Sequence, residues 1–355
     1  MIGRDDLKAA VGSGLISEKQ AASLISLADS RRGARENLNP GDEPFELFKG
    51  FNEIFIVIGL LILASGWWGV VGFVLGDQII SLQDYAMWVS LIGGGVLWLL
   101  SEYFVRKRRM VAPAIALSVM FAANAAFGFV AVLSEPFMIA QNDYSSVPFP
   151  LVLATLTLAV YWWRFRVPFA MAMIAVGLFI VAIVYAASRE GRIADFSEFF
   201  LLSADGPFAW ITLALGLLVF AVAMMFDMSD PHRVTRRSAN GFWLHIVAAP
   251  ALVNTMALSL MDQDGGGSNL ILLAVLTMFA IVAIVIDRRS FLIAAIGYIV
   301  ALATTVFDGD GAALTVLILG IVLLLLGAFW EKIRARVLRL MPGFIPLHRL
   351  PPSEI

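Results

Sequence analysis

The chain reads as an all-α, polytopic integral membrane protein with about ten transmembrane helices. Three observations predict this. Mean hydropathy is +0.86, and 60% of the 355 residues are hydrophobic while 15% are charged. No soluble domain of this length needs so much apolar surface. The apolar residues come in continuous runs of about 20, enough to cross a hydrocarbon core. A closed barrel, the other backbone-satisfied way through lipid, would alternate with period two instead. Finally, Lys and Arg crowd one end of each run and leave the other bare, as the positive-inside rule requires.

Residues 1–38 read as a small cytosolic helical module. A first short helix is expected over Arg4–Gly12, stopped by Gly12-Ser13-Gly14. Ser17 and Gln20 have capping-box spacing, so a second helix is expected from about Glu18 to Ser30. Two helices of this size bury little core alone, which predicts that they dock on another protein, a second copy or the membrane part. Residues 39–52 form a linker and an interfacial lead-in helix, with Phe45, Phe48 and Phe51 along one side. No secretory leader is seen, so the first span is expected to serve as an uncleaved insertion signal.

Residues 53–330 form the transmembrane domain. The spans are expected at 53–75, 85–105, 111–133, 147–163, 168–187, 208–226, 236–261, 270–286, 291–307 and 312–330. Gly72 and Gly76 in the first, and Gly93, Gly94 and Gly95 in the second, allow close helix approach. Tyr161-Trp162-Trp163 ends the fourth as an aromatic belt. Residues 331–355 form a basic, proline-containing tail. Ten spans put both termini on one side. That side then holds 23 of the 25 Lys and Arg, leaving only Arg189 and Arg192 opposite. The outer loops 134–148 and 188–207 read as connectors with interfacial anchors.

The chemistry is sparse. There is no cysteine, which excludes disulfides, thiolate catalysis and cysteine-ligated metals. The three histidines, His232, His245 and His348, are scattered. No phosphate-binding loop, nucleophile elbow or zinc-protease motif is present. Neither an enzyme nor a cofactor is expected, and the basic charge is explained by topology and anionic lipid rather than by nucleic acid. The candidate intramembrane polar site comprises His245, Asn254, Asn124, Glu102 and Glu53. Glu102 can pair with Arg106 one turn on, while Asp227 and Asp287 read as charges at inner helix ends. His245 and Asn254 are nine residues apart, about half a turn out of phase. Each amide is expected to bond a neighbouring helix, at about 0.6 kcal/mol. His245 is expected to face protein, and Pro250 to kink its helix.

Gly14-Leu15-Ile16-Ser17-Glu18-Lys19-Gln20-Ala21 resembles the opening of an uncharacterised family of bacterial multi-pass inner-membrane proteins with a short helical N-terminal module. Phe242-Trp243-Leu244-His245 with Ala248-Ala249-Pro250 is similar to a motif of that group, as is the ending from Trp330 to Pro352. The resemblance implies a bacterial inner membrane and brings no activity. The expectation is therefore a non-enzymatic protein acting through partner or self-association. The alternative is a permease for a small, uncharged or weakly polar solute, with a path near the seventh span.

Overall fold

The computed structural model describes residues 4–17, 52–75, 81–136, 138–141, 143–192, 195–233, 235–262, 266–291, 324–342 and 346–352, with single positions at 20, 21, 24, 317, 320 and 321. Regular structure among them is helical throughout. The main helices are α1 (Arg4–Gly12), α2 (Asn52–Leu75), α3 (Leu82–Ser101), α4 (Val111–Leu133), α5 (Pro148–Phe165), α6 (Pro168–Glu190), α7 (Phe208–Ser229), α8 (Arg236–Met261), α9 (Gly266–Ile286) and α10 (Trp330–Leu340). Seven of these, α2, α3, α4 and α6 to α9, are long and apolar enough to cross a membrane. In α5, two prolines, two tryptophans and Arg164 dilute an otherwise apolar helix of 18 residues. All but Phe291 of the expected ninth span and most of the tenth lie outside the described residues. So do most of the second helix of the N-terminal module, the lead-in Phe45, Phe48 and Phe51, and Gly76.

Local chemistry sets the helix boundaries. The Ser17 amide donates to Gln20 Oε1 at 2.9 Å and the Gln20 amide to Ser17 Oγ at 3.2 Å, a reciprocal capping box. Ser81 Oγ accepts from the Asp84 amide and starts α3. α3 continues into a π-helical stretch, Glu102–Lys107, that carries the basic cluster. Pro148 and Pro168 sit at the first positions of α5 and α6, where no amide proton is needed. Gly191 closes α6 at φ 67°, a left-handed cap that glycine adopts without strain.

Two cores follow in sequence. The first gathers Leu60, Val105, Leu117, Phe121, Leu158, Tyr161 and Phe165 from α2 to α5 and the stretch joining α3 to α4. The second gathers Ala175, Val219, Ala223, Leu244, Ala248, Leu252, Val253, Leu276 and Phe279 from α6 to α9. α8 is central to the second. Gly216 and Ala251 let α7 and α8 approach so closely that a Cβ on Gly216 would lie 3.1 Å from the Ala251 Cβ. α8 runs unbroken through Pro250, which is exposed on its outer side.

The arginine-bearing ends of α3, α5 and α8 lie together. Glu102, after α3, pairs with Arg106 at 3.2 Å and with Arg164 of α5 at 2.7 Å. Arg236 reaches the Arg166 carbonyl, joining the start of α8 to the end of α5. The opposite end is tied by Ser259 and Asp262. Ser259 Oγ accepts from the Leu202 amide and donates to the Phe200 carbonyl, and Asp262 accepts from Ser203.

Candidate functional site

The polar chemistry concentrates where α7, α8 and the end of α9 meet. Asp227 stands in the last turn of α7, His245 on the inner face of α8, and Arg288 two residues past α9. They are 3%, 0% and 7% exposed, so each must find its partner inside the protein. Asp227 Oδ2 accepts from His245 Nε2 at 3.0 Å and from Arg288 Nε at 2.9 Å. Its Oδ1 accepts from Arg288 Nη2, completing a two-pronged guanidinium–carboxylate pair. The same Nη2 also donates to the Ser238 carbonyl at 2.8 Å. An ionised carboxylate only accepts, so the His245 proton that faces it is on Nε2.

The surroundings are shaped to this cluster. Phe220 and Phe291 meet the His245 ring edge to face, with centroids 5.5 and 5.8 Å away. Gly241 lies one turn before His245, and no side chain fits there, because a Cβ would collide with Asp227 Oδ1. A second polar layer lies beside it. Asp287 adopts φ 55°, a left-handed conformation that Asp tolerates better than most residues and that turns the chain so Arg288 enters the bundle. Arg233 donates to Asp287 Oδ2 at 2.7 Å and to the Asp287 carbonyl at 2.8 Å. Trp330 Nε1 of α10 donates to Asp287 Oδ1 at 2.7 Å. Burial holds the Arg233 guanidinium below its usual pKa. The C-terminal segment closes this end, since the buried Arg334 donates to the carbonyls of Pro351 and Pro352.

The five residues picked from sequence are spread over the bundle. His245 faces protein inside the cluster. Asn254 is half-buried farther along α8 and shares no partner with it. Asn124 sits midway along α4 and donates from Nδ2 to the Ser90 carbonyl of α3 at 2.9 Å. Glu102 is in the partly exposed arginine pairs. Glu53, 3% exposed, accepts from the amides of Val111 and Ala112 at 3.2 and 3.0 Å, so a carboxylate of α2 caps the start of α4. His245's partner Asp227, and Arg288 on the same carboxylate, were absent from the sequence-based set. The signal available was weak: charge bookkeeping places Asp227, His245 and Arg288 near one membrane face, but as separate helix ends.

Asp227 has both oxygens occupied, and an arginine fills the place a metal would need. Among the described residues no three His, Asp or Glu side chains group as metal ligands. Five cavities stand out, and neither His245 nor Asn254 lines any of them. The cluster can lock three helices together; Arg288 and Ser238 border a cavity of about 270 Å³ beside Val111, Pro168 and Phe242, while Asp227 and His245 line none of the five.

No family model, curated protein or solved structure matches the chain.

Proposed function

We propose that this chain is a non-enzymatic protein of the bacterial inner membrane that acts through association with a partner or with itself. Residues 1–38 are its docking element, and both termini lie in the cytosol. The observation that carries the reading is the full engagement of the Asp227 carboxylate, with both oxygens used inside the protein by His245 and Arg288. A group engaged in this way holds helices and offers nothing to a substrate. The exposed Leu15 beside α1, at 79%, supports a docking role for the N-terminal segment. Lipid is the other partner, through the apolar outer faces of the helices. The orientation rests on the arginine-bearing ends lying together. A permease with a path at α8 is the weaker reading, because the cavity beside α8 reaches Arg288 and Ser238 but neither Asp227 nor His245.

Deletion of residues 1–38 tests the proposal. The truncated chain should still insert and melt in detergent like the full chain, while crosslinked or co-purified species disappear. An unchanged interaction profile rules the docking role out. Reporter fusions after Arg109, Arg166, Arg237 and Arg289 should all report cytosol, and one periplasmic signal among them breaks the orientation.

A further inference from the structure

Polar groups without partners lie at the other end of the sequence, around Asn124. Asn124 is the fourteenth of the 23 residues of α4, at about mid-depth if α4 spans the bilayer. Its Nδ2 is held by the Ser90 carbonyl, which leaves Oδ1 as the free-facing acceptor. Opposite stands Gly93. A Cβ there would lie 2.8 Å from Asn124 Oδ1, a clash, and 3.6 Å from Trp67 Nε1, so an acceptor and a donor both stand close to this glycine. Trp67 Nε1 is buried with no hydrogen-bond partner, and so is Ser90 Oγ. Within hydrocarbon no water comes to such groups, and an unmade hydrogen bond there is costly. A cavity of about 380 Å³ opens on this spot between α2, α3 and α4, walled by Leu63, Trp67, Gly93, Val96, Met120 and Asn124. A second, of about 560 Å³, meets Asn124 from the side of Ser90 and Gly95. α2 packs on α4 rather than α3, which leaves the first cavity between them.

We propose that the cavity between α2, α3 and α4 binds a neutral, lipophilic alcohol. Its hydroxyl oxygen accepts from Trp67 Nε1, and its hydroxyl proton goes to Asn124 Oδ1. One hydroxyl satisfies both groups, whereas a hydrocarbon chain satisfies neither and an ether satisfies only the indole. A phospholipid is a poor match, because its polar atoms stay at headgroup level while this donor–acceptor pair is deep. The volume is in the range of small-molecule sites and takes the hydroxyl-bearing end of a chain rather than a whole lipid. The proposal is independent of the docking role given to residues 1–38 and needs only that the helices cross a bilayer.

The test uses the full chain in lipid nanodiscs and a photoreactive geranylgeraniol carrying a diazirine near its hydroxyl. Saturable adducts are expected on α2, α3 or α4. Unlabelled geranylgeraniol should compete, its methyl ether about three- to tenfold less well, and the matching hydrocarbon least of all. Trp67→Phe should weaken labelling by a similar factor while leaving the unliganded protein at least as heat-stable, because it removes an unpaired N–H. Gly93→Ala should block labelling by filling the site. Equal competition by alcohol and hydrocarbon overturns the proposal, since the cavity is then a plain lipid-tail groove. So does labelling that ignores both substitutions, or a cysteine at Leu63 that crosslinks to a second copy seated in the cavity.

Discussion

The two halves of the bundle handle polarity in opposite ways. In α7 to α9 the ionisable groups are brought together, and small residues close the packing around them. In α2 to α4, Gly95 leaves space, and Trp67 Nε1 and Ser90 Oγ lack partners. Burial shows the same division: 56% of the most apolar stretch of α8 is enclosed by protein, against 11% for α2. One half is a locked core and the other a loose frame against lipid. Two glycines show the contrast. Gly241 admits the carboxylate of Asp227, while Gly95 faces open space.

The largest effect should come from breaking the lock. Asp227→Leu leaves the Arg288 guanidinium buried without its carboxylate, and loss of one partner of a buried pair costs about 3–5 kcal/mol. The variant should accumulate poorly or melt far below the parent in detergent. Adding Arg288→Met should recover most of that loss, because an apolar pair of similar volume needs no desolvation. If the double variant is as damaged as the single one, the cluster does more than hold helices, and the proposed static role fails. His245→Gln keeps a donor toward Asp227 and should cost far less than His245→Leu, which leaves part of the carboxylate unsatisfied.

Glycine substitutions sharpen the contrast with a single methyl group. Gly241→Ala drives a Cβ into Asp227 and should cost about 1–3 kcal/mol. Gly95→Ala meets nothing within 4 Å and should be neutral or stabilising, by up to about 1 kcal/mol from helix propensity. Melting curves in one detergent suffice to compare them. Equal losses at both positions would mean that the α3 face is packed in solution, and the loose-frame reading would be wrong.

Much of the first level of structure was legible in the chain, and the reasons are local. The first short helix, Arg4–Gly12, and the third expected span, Val111–Leu133, have the bounds read from sequence. The Ser17/Gln20 capping box and the Glu102–Arg106 pair depend only on residues three and four apart. Seven of the expected spans are helices of spanning length and apolarity; the count of ten reaches into residues that are not described. What sequence could not supply was how the helices meet. Asp227 and Arg288 are 61 residues apart and each looks like an ordinary charge at a helix end. Only packing brings them onto His245. The Glu53 cap on α4 is hidden in the same way, because its partners are backbone amides 58 and 59 residues away. Trp67 carries no signal at all in sequence, since an indole in a membrane span ordinarily reads as apolar bulk.

The smallest expected effect lies at the far end of the locked half. The connector after α6 is held by Arg192, which pairs with Glu198 at 2.7 Å and donates to the Asp205 carbonyl at 2.8 Å. Asp195 and Glu198 form a capping box on the short 3-10 turn Phe196–Phe199. The matching connector of the loose half, after α4, has the Glu135 amide on Ser146 Oγ. Hydrogen bonds from Arg192 hold the Glu198 carboxyl below its ordinary value of 4.5, against a smaller opposing effect of burial. A carboxylate with a depressed folded-state pKa contributes its full stabilisation above its unfolded pKa and loses it as pH falls through the folded one. Amide exchange over residues 196–205, corrected for the intrinsic rate, should therefore be flat from neutral pH down to about 4.5 and speed up below it. Glu198→Gln should remove that step and leave residues 143–147 unchanged. A step centred above 4.5, or one that survives Glu198→Gln, would show that the ion pair does not order this connector. The outer ends of the two halves would then be held no differently.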